Sequence, residues 1–144
     1  REAGKNFLLI MSDLNGLKYV HDSFGHSEGD NLINTAAGLL SCTRVSGASC
    51  EKNFRIGGDE FVKAAYGDIT QQGIDEFRRE ISEKVNITNS TSCKPYPIYM
   101  PIGTCLRSPG DIPDCDKMLS SADEAMYADK IRLKSVTGFD PKRK

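Results

Sequence analysis

Apolar and polar positions along this chain follow two rhythms. Asn6 to Asp13 (NFLLIMSD) is a mostly apolar run ending on a carboxylate, the pattern of a strand buried on both faces. From Leu14 to Gly29 the pattern is broken by Gly, Asn, Asp and His, which predicts a short helical turn followed by a loop. Ser27-Glu28-Gly29-Asp30 then opens a helix to about Arg44, with Leu32, Ile33, Ala36, Leu39 and Leu40 at helical spacing. A polar link from Ser46 to Asn53 leads to a β-hairpin. Phe54 and Ile56 precede its Gly57-Gly58-Asp59-Glu60 tip, and Phe61 and Val62 start a second strand that runs to Tyr66. Both glycines are expected to supply positive-φ turn positions. Thr70 is placed to cap a helix whose stripe is Ile74, Phe77, Ile81 and Val85. Asn86 to Pro97 reads as loop, Ile98 to Cys105 as strand, and Ser108 to Asp114 as a Pro/Gly loop. Cys115 to about Lys134 forms the last helix, with Met118, Leu119, Ala122, Ala125 and Met126 inward, before a frayed Lys142-Arg143-Lys144 tail.

The resulting order, β-α-β-β-α-β-α, matches the split-βαβ, ferredoxin-like plan extended by one helix. The expected fold is an α+β sandwich with a mostly antiparallel central sheet flanked by helices. No internal repeat or second domain interrupts it, so residues 1–144 read as a single domain. A first strand so close to the first residue suggests a piece of a longer protein.

Composition narrows the partners. The 144 residues are 38% hydrophobic and 27% charged with a net charge of -1, which offers no general attraction to nucleic-acid polymers or to a membrane surface. The longest apolar run, Phe7 to Met11, is too short to span a bilayer. Cys42, Cys50, Cys93, Cys105 and Cys115 are widely spaced, with no Cys-x-x-Cys pair and only two histidines. They indicate neither a zinc site nor a disulfide framework, and read as reduced thiols packed as small apolar groups. Two N-glycosylation patterns, at Asn86 and Asn89, matter only in a secreted protein.

Taken alone, the hairpin tip is equally a solvated turn, since Gly, Asp and Glu are ordinary turn residues. A second acid changes that balance. In the split-βαβ plan the end of the first strand neighbours the hairpin turn, which brings Asp13 close to Asp59. Two converging carboxylates suit Mg²⁺, which takes one or two such ligands and leaves its other positions to water and substrate phosphates. Open glycines beside them suggest a nucleoside triphosphate site. There is no Gly-x-x-x-x-Gly-Lys-Ser/Thr loop, so it is not of the P-loop kind.

Four motifs then stand in order. They are Asp13-Leu14-Asn15-Gly16-Leu17-Lys18, Phe24-Gly25-His26-Ser27-Glu28-Gly29-Asp30, Arg55-Ile56-Gly57-Gly58-Asp59-Glu60-Phe61, and Ala122-Asp123-Glu124-Ala125-Met126-Tyr127-Ala128-Asp129-Lys130. Together they resemble the successive motifs of the GGDEF domain, the diguanylate cyclase family, over nearly the whole chain. The resemblance implies a palm-type nucleotidyl cyclase fold and condensation of two GTP into cyclic di-GMP with loss of two pyrophosphates. Each domain of a homodimer would hold one GTP, and each 3′-hydroxyl would attack the other nucleotide's α-phosphate.

By that resemblance Asp13, Asp59 and the Leu14 carbonyl hold two Mg²⁺ (or Mn²⁺) ions. Asp59 is the candidate base and Glu60, grouped with it as catalytic, a further candidate ligand. His21, His26 and Asp30 fall at the guanine pocket, and Lys18, Gly57, Gly58, Lys130 and Lys134 at the rest of the substrate. For the histidines and Lys134 a structural reading stands beside this one: His26 as a helix cap, Lys134 as a basic helix end complementing the macrodipole. The chain departs from the family pattern in three places. His21 replaces a usual asparagine and lacks its paired donor and acceptor. The product-inhibition motif would fall on Ala48-Ser49-Cys50-Glu51, which has no arginine, so no inhibitory product site is expected. Lys134 replaces a common arginine and loses the fork geometry. Two activities remain open: a cyclase, or a regulatory module that binds GTP or a partner protein without turnover. Either is expected in the cytoplasm, where GTP is supplied, as part of a parent protein with an N-terminal sensory or dimerising region and compatible with a membrane anchor elsewhere.

Overall fold

A computed structural model describes residues 5–14, 16–91, 94, 96–107 and 115–137. The expected 108–114 loop, the 142–144 tail, Cys93 and the Cys115 side chain lie outside that description.

Four antiparallel strands make one sheet in the order β2-β3-β1-β4: β1 (Asn6–Asp13), β2 (Ala48–Ile56), β3 (Glu60–Gly67) and β4 (Ile102–Arg107). This is the expected ferredoxin-like arrangement, an α+β fold, with β1 at the centre because its run is apolar on both faces. Leu8 and Ile10 point to one side, against α2 (His26–Cys42) and α3 (Gln71–Thr91). Leu9 and Met11 point to the other, against Met118, Ala122 and Met126 of α4 (Cys115–Thr137).

The 14–29 stretch is more helical than its composition suggests. It holds α1 (Leu17–Phe24), which buries Leu17 and Val20 and is separated from α2 by Gly25 at φ +96°. Gly25 ends one helix and starts the next, a backbone angle that glycine adopts at little cost. Asp, Ser and His are weak helix formers, and here packing overrides them.

Two further expectations are corrected. The polar link after α2 is already strand from Ala48 onward: β2 is an edge strand, mostly solvated, held by its backbone ladder to β3 rather than by burial. The expected loop at 86–97 is helix as far as Thr91. Asn89 then holds the following segment as a strand partner would, donating to the Ile98 carbonyl at 2.9 Å and accepting from the Ile98 N–H at 2.7 Å. The last strand consequently begins at Ile102 rather than Ile98. Thr70 does cap α3, its Oγ1 accepting from Gly73 N–H at 3.1 Å. Of the three cysteines described here only Cys105 is buried; Cys42, at the last turn of α2, and Cys50, on the edge strand, are exposed free thiols.

Gly103 marks where β4 rides directly on α4. A Cβ there would lie 2.0 Å from the Ala122 carbonyl oxygen and 2.3 Å from Met126 N, both backbone atoms. Gly103→Ala is therefore expected to destabilise the fold by about 1–3 kcal/mol or more, as overpacking against a backbone does. A shifted urea midpoint measures it; an unchanged midpoint would mean that α4 can move away freely.

Candidate active site

The hairpin turn consists of Gly57, Gly58 and Asp59 between Ile56 and Glu60. Only Gly57 has positive φ, at +72°, so one glycine rather than two meets the backbone demand. Arg55 staples the turn, its guanidinium donating to the Gly58 carbonyl through Nη2 at 2.7 Å and Nε at 3.1 Å. A Cβ on either glycine would meet nothing within 4 Å, so the tip is open on its outer side. The N–H of Leu14 donates to the Asp59 carbonyl at 2.8 Å and sews the end of β1 to the turn. Glu60 sits directly opposite Asp13 in the ladder.

Asp13 and Asp59 are thus neighbours, as the topology required. Asp13 is largely enclosed, its side chain 15% exposed, and its Oδ2 accepts from Lys130 Nζ at 3.0 Å. Burial pushes its carboxyl from the ordinary 3.8 up to about 6; the Lys130 ammonium pulls it down, and the Asp59 carboxylate adds to the rise. Its other oxygen, Oδ1, is buried with no hydrogen-bond partner. A buried acceptor without a donor, beside a second carboxylate, is a donor set that a divalent cation completes. The residues fit Mg²⁺ or Mn²⁺ on that ground. No group of three or more His, Cys, Asp or Glu positioned to hold a metal occurs among the described residues.

The raised value has a consequence for stability. Asp13 in the folded chain holds a proton more tightly than when unfolded, so its contribution is fully present below pH 3.8 and is lost as pH rises through about 6. Between pH 7.5 and 5 the stability of the metal-free protein relative to its Asp13→Asn variant is expected to improve by roughly 1 kcal/mol. Urea titrations of both proteins at the two pH values measure this. A constant difference would place the carboxyl near its ordinary value.

The other expected substrate residues divide into two groups. His21 lies on α1 with its ring against Gly29: a Cβ on that glycine would be 1.9 Å from His21 Cδ2. His21 Nε2 is buried without a partner, and its ring centroid is 4.7 Å from that of His26. His26 is exposed as the first residue of α2; Gly25 occupies the cap position and makes no side-chain cap bond. Asp30, one turn on, and Lys18, on α1, are exposed. This elbow is braced from behind by residues that the sequence reading missed. Tyr96 stacks near Phe24 at 5.4 Å, and its hydroxyl donates to Glu28 Oε1 at 2.8 Å. Burial and that carboxylate push the Tyr96 phenol up to about 12, while hydrogen bonds from Lys94 and Tyr96 hold Glu28 below its usual range.

Lys130 was expected against the substrate and is found on Asp13, at the same corner of the molecule. Lys134, one turn further along α4, is exposed. The segment without arginine, at Ala48–Glu51, has its one carboxylate turned inward: Glu51 Oε1 accepts from the buried Lys63 Nζ at 2.7 Å, and Oε2 from Val45 N–H at 2.8 Å. The signal for this pair was a lysine at a core parity, between Phe61 and Ala65.

The family model described as diguanylate cyclase, GGDEF domain, matches residues 1–135. The chain is 34% identical over 140 residues to the signaling protein YkoW of Bacillus subtilis, covering 90% of this chain and 16% of that protein. It is 25% identical over 133 residues to the diguanylate cyclase DgcS of Shewanella oneidensis, covering 92% of this chain and 42% of that one. It spans well under two thirds of either relative. The crystal structure of the GGDEF domain of DgcB from Caulobacter crescentus, in complex with c-di-GMP, superposes with a TM-score of 0.73 at 25% identity, covering 90% of this chain and 74% of that one.

Proposed function

The chain belongs to the GGDEF, diguanylate cyclase family, and from that premise we propose that it condenses two GTP molecules into cyclic di-GMP and two pyrophosphates. The observation that carries this reading is the Asp13–Asp59 pair, fixed by the Leu14–Asp59 backbone bond, with one buried oxygen lacking a partner. Asp13, Asp59 and the Leu14 carbonyl would hold Mg²⁺ or Mn²⁺. Bound there, the metal supplies positive charge to the attacking and leaving oxygens of an in-line displacement.

The chain's own groups do the rest. Asp59 accepts the proton of the 3′-hydroxyl on a carboxylate oxygen. Lys130, already at Asp13, brings its charge to the corner where the triphosphate lies, and Lys134 extends the same line. Gly57 and Gly58 leave the backbone open to the phosphates. Asp30, exposed at the α1–α2 elbow, accepts from guanine N1 and N2, donors that adenine does not present in that arrangement. Because one site holds one nucleotide, a homodimer brings two sites face to face. The working protein is cytoplasmic, with a sensory or dimerising region outside this chain; among the described residues no helix is long and apolar enough to cross a membrane.

His21 favours a second reading. Its ring is packed onto Gly29, and an imidazole cannot offer the paired donor and acceptor of an amide that grips guanine. A GTP-binding regulatory module with little turnover follows from that. Mass spectrometry of products after incubation with GTP and Mg²⁺, for the chain alone and fused to a dimerising coiled coil, separates the two. Cyclic di-GMP from the fused form supports the cyclase. GTP binding without product supports the module.

A further inference from the structure

A cleft of about 360 Å³ opens between α3 and α4. Its floor is apolar: Ile81 and Val85 from α3, with Met100 and Ile102 leading into β4. Its rim carries two guanidinium groups. Arg78 Nη1 donates to the Ile102 carbonyl at 3.0 Å, and Arg132 Nε donates to Asp129 Oδ1 at 2.8 Å. The other Asp129 oxygen accepts from the Ile102 N–H at 2.7 Å. Both backbone groups of one strand residue therefore hold the rim in place, Arg78 directly and Arg132 through Asp129.

We propose that this cleft binds a small organic anion, with a ring-sized apolar body on the Ile81–Ile102 floor and a carboxylate or phosphate head between Arg78 and Arg132. Charge decides the class. Among the described lining residues two guanidinium groups stand against one carboxylate, Asp129, whose oxygens accept from Arg132 and from the Ile102 N–H, so the rim keeps a net positive charge centred on Arg78. The volume suits one ring with its head group. Donors held in place before binding lose little freedom when the ligand arrives. None of its described lining residues is one of those placed at the Asp13–Asp59 corner, and the proposal does not depend on the cyclase reading.

Benzoate is the probe, with benzamide as its neutral counterpart and methyl NMR as the readout. Benzoate is expected to give saturable shifts at the Ile81, Val85, Met100 and Ile102 methyls. Benzamide should bind at least about tenfold more weakly, about 1.4 kcal/mol. Arg132→Gln, at an exposed position, should weaken benzoate by a similar factor, and Arg78→Lys should weaken it while keeping a donor for the Ile102 carbonyl. Non-saturable shifts would overturn the proposal. So would equal binding of benzamide, indifference to Arg132→Gln, or shifts confined to the His21–Asp59 side.

Discussion

Asp59→Ala is expected to lower cyclic di-GMP formation by roughly three orders of magnitude or more, the scale seen when a residue acts both as ligand and as proton acceptor. The fold should survive the change. The bond that ties β1 to the turn is made to the Asp59 carbonyl, not to its side chain, and alanine keeps that carbonyl. A urea midpoint within about 0.5 kcal/mol of wild type is therefore expected alongside the lost activity. The variant also removes a neighbour that raises Asp13, so the Asp13 carboxyl should titrate lower than about 6. Undiminished turnover would remove Asp59 from the chemistry; lost activity with a collapsed midpoint would make its role structural.

Lys63→Met is the second large effect, and it concerns stability alone. Lys63 is 0% exposed and Glu51 7%, with their charged atoms 2.7 Å apart on the α2–α3 side of the sheet. Removing the lysine leaves Glu51 with the Val45 N–H and the distant, solvated Arg44 guanidinium at 3.8 Å. Breaking one side of a buried pair costs about 3–5 kcal/mol, because the remaining charge stays desolvated. Adding Glu51→Gln to Lys63→Met should recover most of that loss, since an amide can still accept from Val45. A loss below about 1 kcal/mol in the single variant would mean that water reaches Glu51 in the folded state.

What was legible in the sequence follows what each signal depends on. β1 was readable because burial on both faces leaves no ambiguity of pattern, and the hairpin because glycines and strand formers mark it locally. The meeting of Asp13 with Asp59 followed from topology. β2 was only half readable: an edge strand is held by backbone bonds, so its side chains carry little pattern, and Phe54 remains 49% exposed on it. α1 was read only as a short helical turn for the opposite reason, since its residues favour loops and Leu17 and Val20 packing extends the helix. The Asn89 clamp on Ile98 and the Tyr96–Glu28 brace join distant segments, and nothing in their immediate neighbours announces them. In the site, the motifs named residues but not the partners the fold gives them. Lys130 was assigned to phosphate from its position in a motif; the geometry gives it Asp13 in the absence of any ligand.

The sheet order also bears on how the chain acquires its structure in time. β1 emerges first, yet it pairs only with strands made later: Leu9 with Ala64 of β3 and with Cys105 of β4. During synthesis the most apolar segment of the protein therefore waits without ladder partners until most of the sequence has followed it. Such long-range pairing slows folding, and an unpaired apolar strand invites association with other chains. The adjacent α1–α2 pair is the structure available to shelter Leu8 and Ile10 in that interval, which gives the Gly25 elbow an early task in maturation as well as its place beside the finished site.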